Sequence, residues 1–182
     1  GLKPIKCGHF LRYFFSFAVF FGSCFYAFTS LALATVFALY ASLLCIISVI
    51  DWHYKLISPA MCQFLLSSGI IAAYGEITSI SLEQSLQSAL FGFTAFFIIY
   101  HLSKLYYRQE ALGRGDYWLV AGLAAFIPWQ MLPLMILIAC LSALSYGLWL
   151  KYHKREIGYI PFAPFLTIGG IFTFLLNNAS IV

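Results

Sequence analysis

The chain has 182 residues, of which 63% are hydrophobic and only 9% are charged, and its formal net charge is +4. Soluble domains carry roughly 25% charged residues, so a chain this poor in charge could not cover a water-facing surface. Apolar runs long enough to cross a bilayer recur along its length, without the alternation of barrel strands. We therefore predict an all-α, polytopic transmembrane helical bundle with about six to seven spans.

The apolar runs define the predicted spans in chain order. We treat residues 1–182 as a single membrane-embedded domain, because no segment is both long and polar enough to form a soluble one. The fifth span is short and could be a half-span, or could merge with the turn at 128–133. The predicted spans are 10–28, 31–50, 59–75, 86–103, 116–128, 131–150 and 159–177.

The basic residues indicate the orientation of these spans. With a cytoplasmic N-terminus, all 10 Lys and Arg residues fall in the cytoplasmic segments or at their edges. The outside segment 76–85 holds Glu76 and Glu83 but no basic residue, which is the positive-inside asymmetry. The positive charge thus indicates topology in a lipid bilayer, and no nucleic-acid partner is expected. The predicted cytoplasmic segments are 1–9, 51–58, 104–115 and 151–158.

The cysteines and histidines do not indicate a metal site. The 5 cysteines are scattered without CxxC spacing. His9, His101 and His153 lie at predicted span edges and form no ligand spacing. His53, two residues after Asp51, could tune the Asp51 proton but is interpreted as a solvent-facing loop histidine. We interpret the cysteines as small apolar residues and expect no metal and no other cofactor.

Two carboxylates stand out in this apolar chain. Asp51 ends the second predicted span and Asp116 begins the fifth, on the same side of the membrane. Two carboxylates held close together cannot both ionise easily, so they share one proton over a useful pH range. The ionised member can then activate water, and the protonated member can donate to a scissile carbonyl. This is aspartic-protease chemistry, which needs no metal.

The local context of each aspartate allows simpler interpretations. Asp116 could be a helix N-cap, with Gly113 and Gly115 forming a turn, and Asp51 could be an interfacial carboxylate paired with Lys55. We expect the two glycines to supply positive φ and a close backbone approach just before the helix. Gly122 is expected to permit tight helix packing deeper in the span.

Three ordered segments carry a resemblance to a known family. They are Ile50-Asp51, the GxGD motif at 113–116 with a following helix that ends at Pro133, and IPFAP at 160–164. In these segments the chain resembles bacterial prepilin peptidases, also called type IV leader peptidases, which are polytopic inner-membrane aspartic peptidases. The resemblance implies that Asp51 and Asp116 are the catalytic pair. It also implies cleavage of the short basic leader of type IV prepilins or type II secretion pseudopilins at the cytoplasmic face.

The chain departs from the family pattern at several positions. Trp118 replaces a lysine that most members have, Ser58 and Pro59 replace a proline followed by Asp or Asn, and Pro128 replaces a glycine. The paired CxxC motifs of the family's N-terminal methyltransferase domain are not in this sequence, so we do not expect methylation by this chain. Presenilin-like proteases resemble the chain less, because no PAL segment occurs.

Two other functions are compatible with the sequence. A small ion-coupled transporter could use the two aspartates as ion ligands, although carrier sites tend to lie at the bilayer midplane. A catalytically inactive homologue could serve as an assembly subunit of a pilus system.

Overall fold

A computed structural model describes residues 30–107, 113, 115–153 and 160–178, and before them 19, 21–23, 25–26 and 28. Within these ranges all regular structure is helical, which confirms the predicted fold class. Most of the predicted first span, 10–28, lies outside the described residues. The helices are α1 (Leu31–Tyr54), α2 (Pro59–Tyr74), α3 (Leu82–Tyr107), α4 (Asp116–Ala124), a 3₁₀ turn (Trp129–Met131), α5 (Leu132–Tyr152) and α6 (Ala163–Asn178).

The helices differ in their capacity to cross a membrane. Three segments in the described part of the chain are long and apolar enough, namely Leu31–Tyr54, Leu82–Tyr106 and Trp129–Tyr152. Helices α2 and α6 have 16 residues each. Helix α4 has 9 residues, and a helix of that length covers only about 14 Å of a hydrocarbon core about 30 Å thick. The short fifth span of the sequence is therefore not a complete crossing by itself.

The ends of α1 place Asp51 in its last turn. The Ser30 side chain accepts a hydrogen bond from the Leu33 N–H at 3.5 Å and caps the start of the helix. At the other end Lys55 adopts a left-handed conformation, with φ of 54°, and its N–H donates to the Asp51 carbonyl at 2.8 Å. This left-handed cap stops the helix four residues after Asp51.

Helix α4 lies at the centre of the bundle. Most of its side chains and those of the following turn are buried, including Leu119, Leu123 and Phe126, each 0% exposed. The Phe126 ring packs against Tyr40 of α1 at 4.5 Å between centroids, and Tyr40 stacks on Phe174 of α6 at 5.2 Å. A short helix enclosed in this way cannot shift without disturbing its neighbours.

Small residues let the neighbouring helices approach α4 closely. A Cβ at Gly122 would lie 2.9 Å from Cδ2 of Leu65 and 3.1 Å from the carbonyl oxygen of Cys62, both on α2. On α3, a Cβ at Gly92 would lie 3.1 Å from Cβ of Ala124. The expectation that Gly122 permits tight packing is confirmed, because small residues at these crossings allow backbones to approach closely.

We predict that Gly122→Ala lowers the free energy of unfolding by about 1–3 kcal/mol, because the added methyl meets a backbone carbonyl that cannot move aside. Gly147→Ala on α5 is the matched control, since its nearest heavy atom would be 3.8 Å away. The control should be neutral or stabilise the protein by up to about 1 kcal/mol. Denaturant unfolding in detergent micelles measures both, and equal stability of the two variants would contradict the tight crossing.

Candidate active site

The Asp51 carboxylate is buried between α1 and α6. The residue is 4% exposed, and its Oδ2 accepts a hydrogen bond from the Ala163 N–H at 3.1 Å. Ala163 is the first residue of α6, where the helix dipole favours negative charge. The end of one helix thus supplies the carboxylate and the start of another supplies its donor.

The sequence around Ala163 leaves one backbone donor for that carboxylate. The first four N–H groups of a helix have no partner within the helix. Here Pro164 has no N–H, and the N–H groups of Phe165 and Leu166 both donate to the Phe162 carbonyl at 3.1 Å. Only the Ala163 N–H remains, and it donates to Asp51. Sequence reasoning matched this segment to a family pattern without assigning it a role; the proline directly after Ala163 is the signal that could have indicated one.

Asp116 is held by the turn that precedes α4. It is 3% exposed, and its Oδ2 accepts a hydrogen bond from the Gly113 N–H at 2.9 Å. Its own N–H donates to the Gly113 carbonyl at 3.1 Å, which closes the turn in both directions. Asp116 is therefore the first residue of α4, and Gly115 is the N-cap. The N-cap interpretation of Asp116 is wrong, because its carboxylate bonds back to the turn and not to a helix N–H.

Gly115 of the motif acts through its small size. Among the described residues no glycine has positive φ, and Gly115 has a φ of −82°, so the expectation of left-handed backbone was wrong. The cause is steric instead: a Cβ at Gly115 would lie 2.8 Å from Cγ2 and 3.2 Å from the carbonyl oxygen of Ile57. Ile57 belongs to the loop that follows Asp51. This contact therefore joins the segment after the first aspartate to the segment before the second.

The two carboxylates affect each other electrostatically. Asp116 is the first residue of α4, a helix too short to span the membrane. Burial raises the pKa of Asp116 to about 7, the hydrogen bond from Gly113 opposes this, and the charge of Asp51 raises it further. The pair can therefore hold one proton near neutral pH.

Each aspartate presents the same hydrogen-bonding pattern. One oxygen of each carboxylate accepts a backbone N–H, from Ala163 or from Gly113. Within the described ranges the other oxygen of each accepts no hydrogen bond from the protein. An oxygen that accepts no hydrogen bond from the protein is available to a water molecule or to a group of the substrate.

Two other residues that sequence analysis considered, Trp118 and His53, make other contacts. Trp118 packs against Phe93 of α3 at 5.0 Å between ring centroids and lines an apolar cavity of about 260 Å³. Two residues along a helix turn the side chain by about 200°, so Trp118 faces away from Asp116. His53 is exposed, with its Nδ1 3.0 Å from the Val49 carbonyl oxygen. In the described part of the chain no group of three or more His, Cys, Asp or Glu side chains could hold a metal ion.

The fold and the site together define a helical membrane protein with two buried carboxylates at helix ends. The type IV leader peptidase family matches the chain over residues 38–148, a range that includes both Asp51 and Asp116. The chain belongs to this family, and the resemblance seen in its sequence motifs is confirmed.

Curated relatives support the same assignment. A prepilin leader peptidase/N-methyltransferase of Haemophilus influenzae is 38% identical over 97% of this chain and 76% of its own length. A protein of the same name from Dickeya chrysanthemi is 33% identical over 77% of this chain. A type 4 prepilin-like proteins leader peptide-processing enzyme of Escherichia coli is 34% identical over 71% of it. The chain spans only about half the length of these last two, 52% and 47%. No solved structure matches the chain.

We predict that Gly115→Ala separates the two aspartates and lowers peptidase activity by about 100-fold, since a displacement of about 1 Å can cost that much. The φ of Gly115 suits alanine, so the effect would come from the clash with Ile57 alone. Removing the Ile57 side chain in a Gly115→Ala/Ile57→Gly double variant should restore part of the activity.

Gly75→Ala is the control for this prediction. Gly75 also lies in a loop with negative φ, but its nearest atoms would be 3.5 Å from an added Cβ, an ordinary contact. Initial rates of cleavage in detergent compare the variants. Full activity of Gly115→Ala would show that the contact with Ile57 does not set the position of the aspartates.

Proposed function

We propose that this chain is a membrane aspartic endopeptidase that removes the short basic leader from type IV prepilins or pseudopilins. The observation that carries the proposal is the pairing of Asp51 and Asp116. Both are buried, the charge of Asp51 raises the pKa of Asp116, and each carboxylate accepts a hydrogen bond from a single backbone N–H within the described ranges. Family membership and the names of the relatives, which are prepilin-processing enzymes, support the substrate class.

The reaction uses the one proton that the pair shares. The ionised carboxylate takes a proton from water while the water oxygen bonds to the scissile carbonyl carbon, and the protonated carboxyl donates its proton to the carbonyl oxygen. The tetrahedral intermediate then collapses as the carbon–nitrogen bond breaks. The leaving amine takes a proton from the carboxyl that had received one from water, and one hydroxyl of the intermediate returns its proton to the other carboxylate. The products are a carboxylic acid and an amine, and the pair is again singly protonated.

We place the site at the cytoplasmic face of the bacterial inner membrane. Three apolar helices in the described ranges could cross a bilayer, and the positive-inside pattern puts the segments beside both aspartates in the cytoplasm. Asp51 lies in the last turn of α1 and Asp116 in the first of α4. Positions at helix ends suit a substrate cut near the membrane surface better than the midplane site of a carrier.

We predict that Asp51→Asn and Asp116→Asn each lower prepilin cleavage by at least about 100- to 10,000-fold, the range for losing a general acid or base. Asparagine keeps the size of the side chain and can still accept a backbone hydrogen bond, so the protein should accumulate normally. Co-expression with a prepilin and a blot for leader loss measures the effect.

Glu83→Gln is the control for the aspartate variants. Glu83 is an exposed acidic residue in the first turn of α3, where it accepts a hydrogen bond from Gln87. The Glu83→Gln variant should cleave prepilin as the wild type does. Cleavage of prepilin by either aspartate variant would contradict the two-carboxylate mechanism.

We predict that cleavage falls as the pH rises above about 7. The pKa of Asp116 is raised to about 7, so its proton is present below that pH and lost above it. Once both carboxylates are ionised no proton remains for the carbonyl oxygen, and the rate should drop about tenfold per pH unit. Initial rates between pH 5 and pH 9 test this, and a rate that stays constant up to pH 9 contradicts it.

A further inference from the structure

Most hydroxyl side chains in these helices bond within their own helix. A hydroxyl in an apolar environment needs a partner, and the carbonyl three or four residues earlier is the nearest one. Ser48 of α1 and Thr167 of α6 differ, because their Oγ and Oγ1 atoms are 2.7 Å apart and bond the two helices to each other. The residues that bond within their own helix are Thr35, Ser42, Ser67, Ser68, Ser103, Ser142, Ser145 and Thr173.

This hydroxyl pair lies one turn away from the Asp51 carboxylate. Ser48 precedes Asp51 by three residues and Thr167 follows Ala163 by four, so both pairs lie on the facing sides of two antiparallel helices. The bonds from Ser48 to Thr167 and from Ala163 to Asp51 therefore form two consecutive links along one interface.

We propose that Ser48 and Thr167 are positioning residues that hold the start of α6 against Asp51. The inference rests on the proposed function, because it concerns the orientation of a carboxylate in that reaction. In this proposal the pair acts through the Ala163 N–H and does not contact the reacting atoms. It sets the register of α1 against α6, and thereby the direction in which the Ala163 N–H points relative to the Asp51 carboxylate.

The need for such a link follows from how Asp51 is held. The one hydrogen bond that its carboxylate accepts within the described ranges comes from the first residue of a helix, and helix ends open more readily than their interiors. Gly169 and Gly170 follow Thr167 and bring α6 close to α5 and to Tyr40, but they make no polar link to α1. Within the apolar interface of α1 and α6, the Ser48–Thr167 bond is the next polar contact after the bond from Ala163 to Asp51. It joins the second turn of α6 to α1.

The test removes the link while keeping its volume. Thr167→Val replaces the hydroxyl by a methyl, Ser48→Ala removes the partner, and Thr167→Ser keeps the hydroxyl. Thr173→Val is the matched control, since Thr173 lies on the same helix, is 0% exposed and bonds only to the carbonyls of Gly169 and Gly170. The measurement is kcat and KM for prepilin cleavage by the full chain in detergent micelles.

We expect Thr167→Val and Ser48→Ala each to lower kcat by about three- to twentyfold with KM unchanged, the effect of one interhelical hydrogen bond. Thr167→Ser should restore kcat, and Thr173→Val should leave it at the wild-type value. The Ser48→Ala/Thr167→Val double variant should be no worse than either single variant, because both remove the same bond.

Several outcomes overturn the inference. An unchanged kcat in both single variants, an equal loss in Thr173→Val, or no rescue by Thr167→Ser would each show that the pair does not position Asp51. Loss of folded protein in both Ser48→Ala and Thr167→Val would make the pair purely structural. A wild type that does not cleave, or an Asp51→Asn variant that does, overturns the proposed function itself, and this inference with it.

Discussion

A carboxylate enclosed in this apolar bundle needs a hydrogen-bond partner, and that constraint determines how the two aspartates are held. A carboxylate removed from water is costly unless hydrogen bonds satisfy it. Here each aspartate takes one backbone N–H, from Ala163 at the start of α6 for Asp51 and from Gly113 in the turn before α4 for Asp116. Since helix starts are where the backbone has spare donors, the fold must bring the start of α6 to Asp51.

The rest of the bundle can be understood from that requirement. Helix α4 is too short to cross a membrane, yet it is enclosed by α2 and α3 through close contacts at Gly122 and Gly92. The burial of α4 holds its first residue, Asp116, in position. The contact of Ile57 with Gly115 then brings the loop after Asp51 to the same place. Tight packing at small residues therefore positions the two aspartates, whereas loops and side-chain networks position the site in a soluble enzyme.

The sequence predicted the elements better than it predicted their contacts. Apolar runs and the flanking charges located the helices and placed Asp51 and Asp116 on one side, because span length and charge asymmetry are local properties. The bond from Ala163 to Asp51 joins residues separated by 112 positions, so it depends on how α1 packs against α6. The role of Gly115 was misjudged for the same reason: glycine indicates either positive φ or close approach, and only the position of Ile57 distinguishes the two.

The choice of neutral backbone donors has a consequence for the chemistry. A lysine or arginine beside the pair would favour the ionised form of both carboxylates and remove the proton that the carbonyl oxygen must receive. Within the described ranges each carboxylate accepts a single N–H, which adds no charge, and burial together with the charge of Asp51 raises the pKa of Asp116 to about 7. Trp118, where the family usually has a lysine, faces the apolar cavity beside α3, away from Asp116. At this position the departure from the family pattern therefore adds no charged side chain to α4.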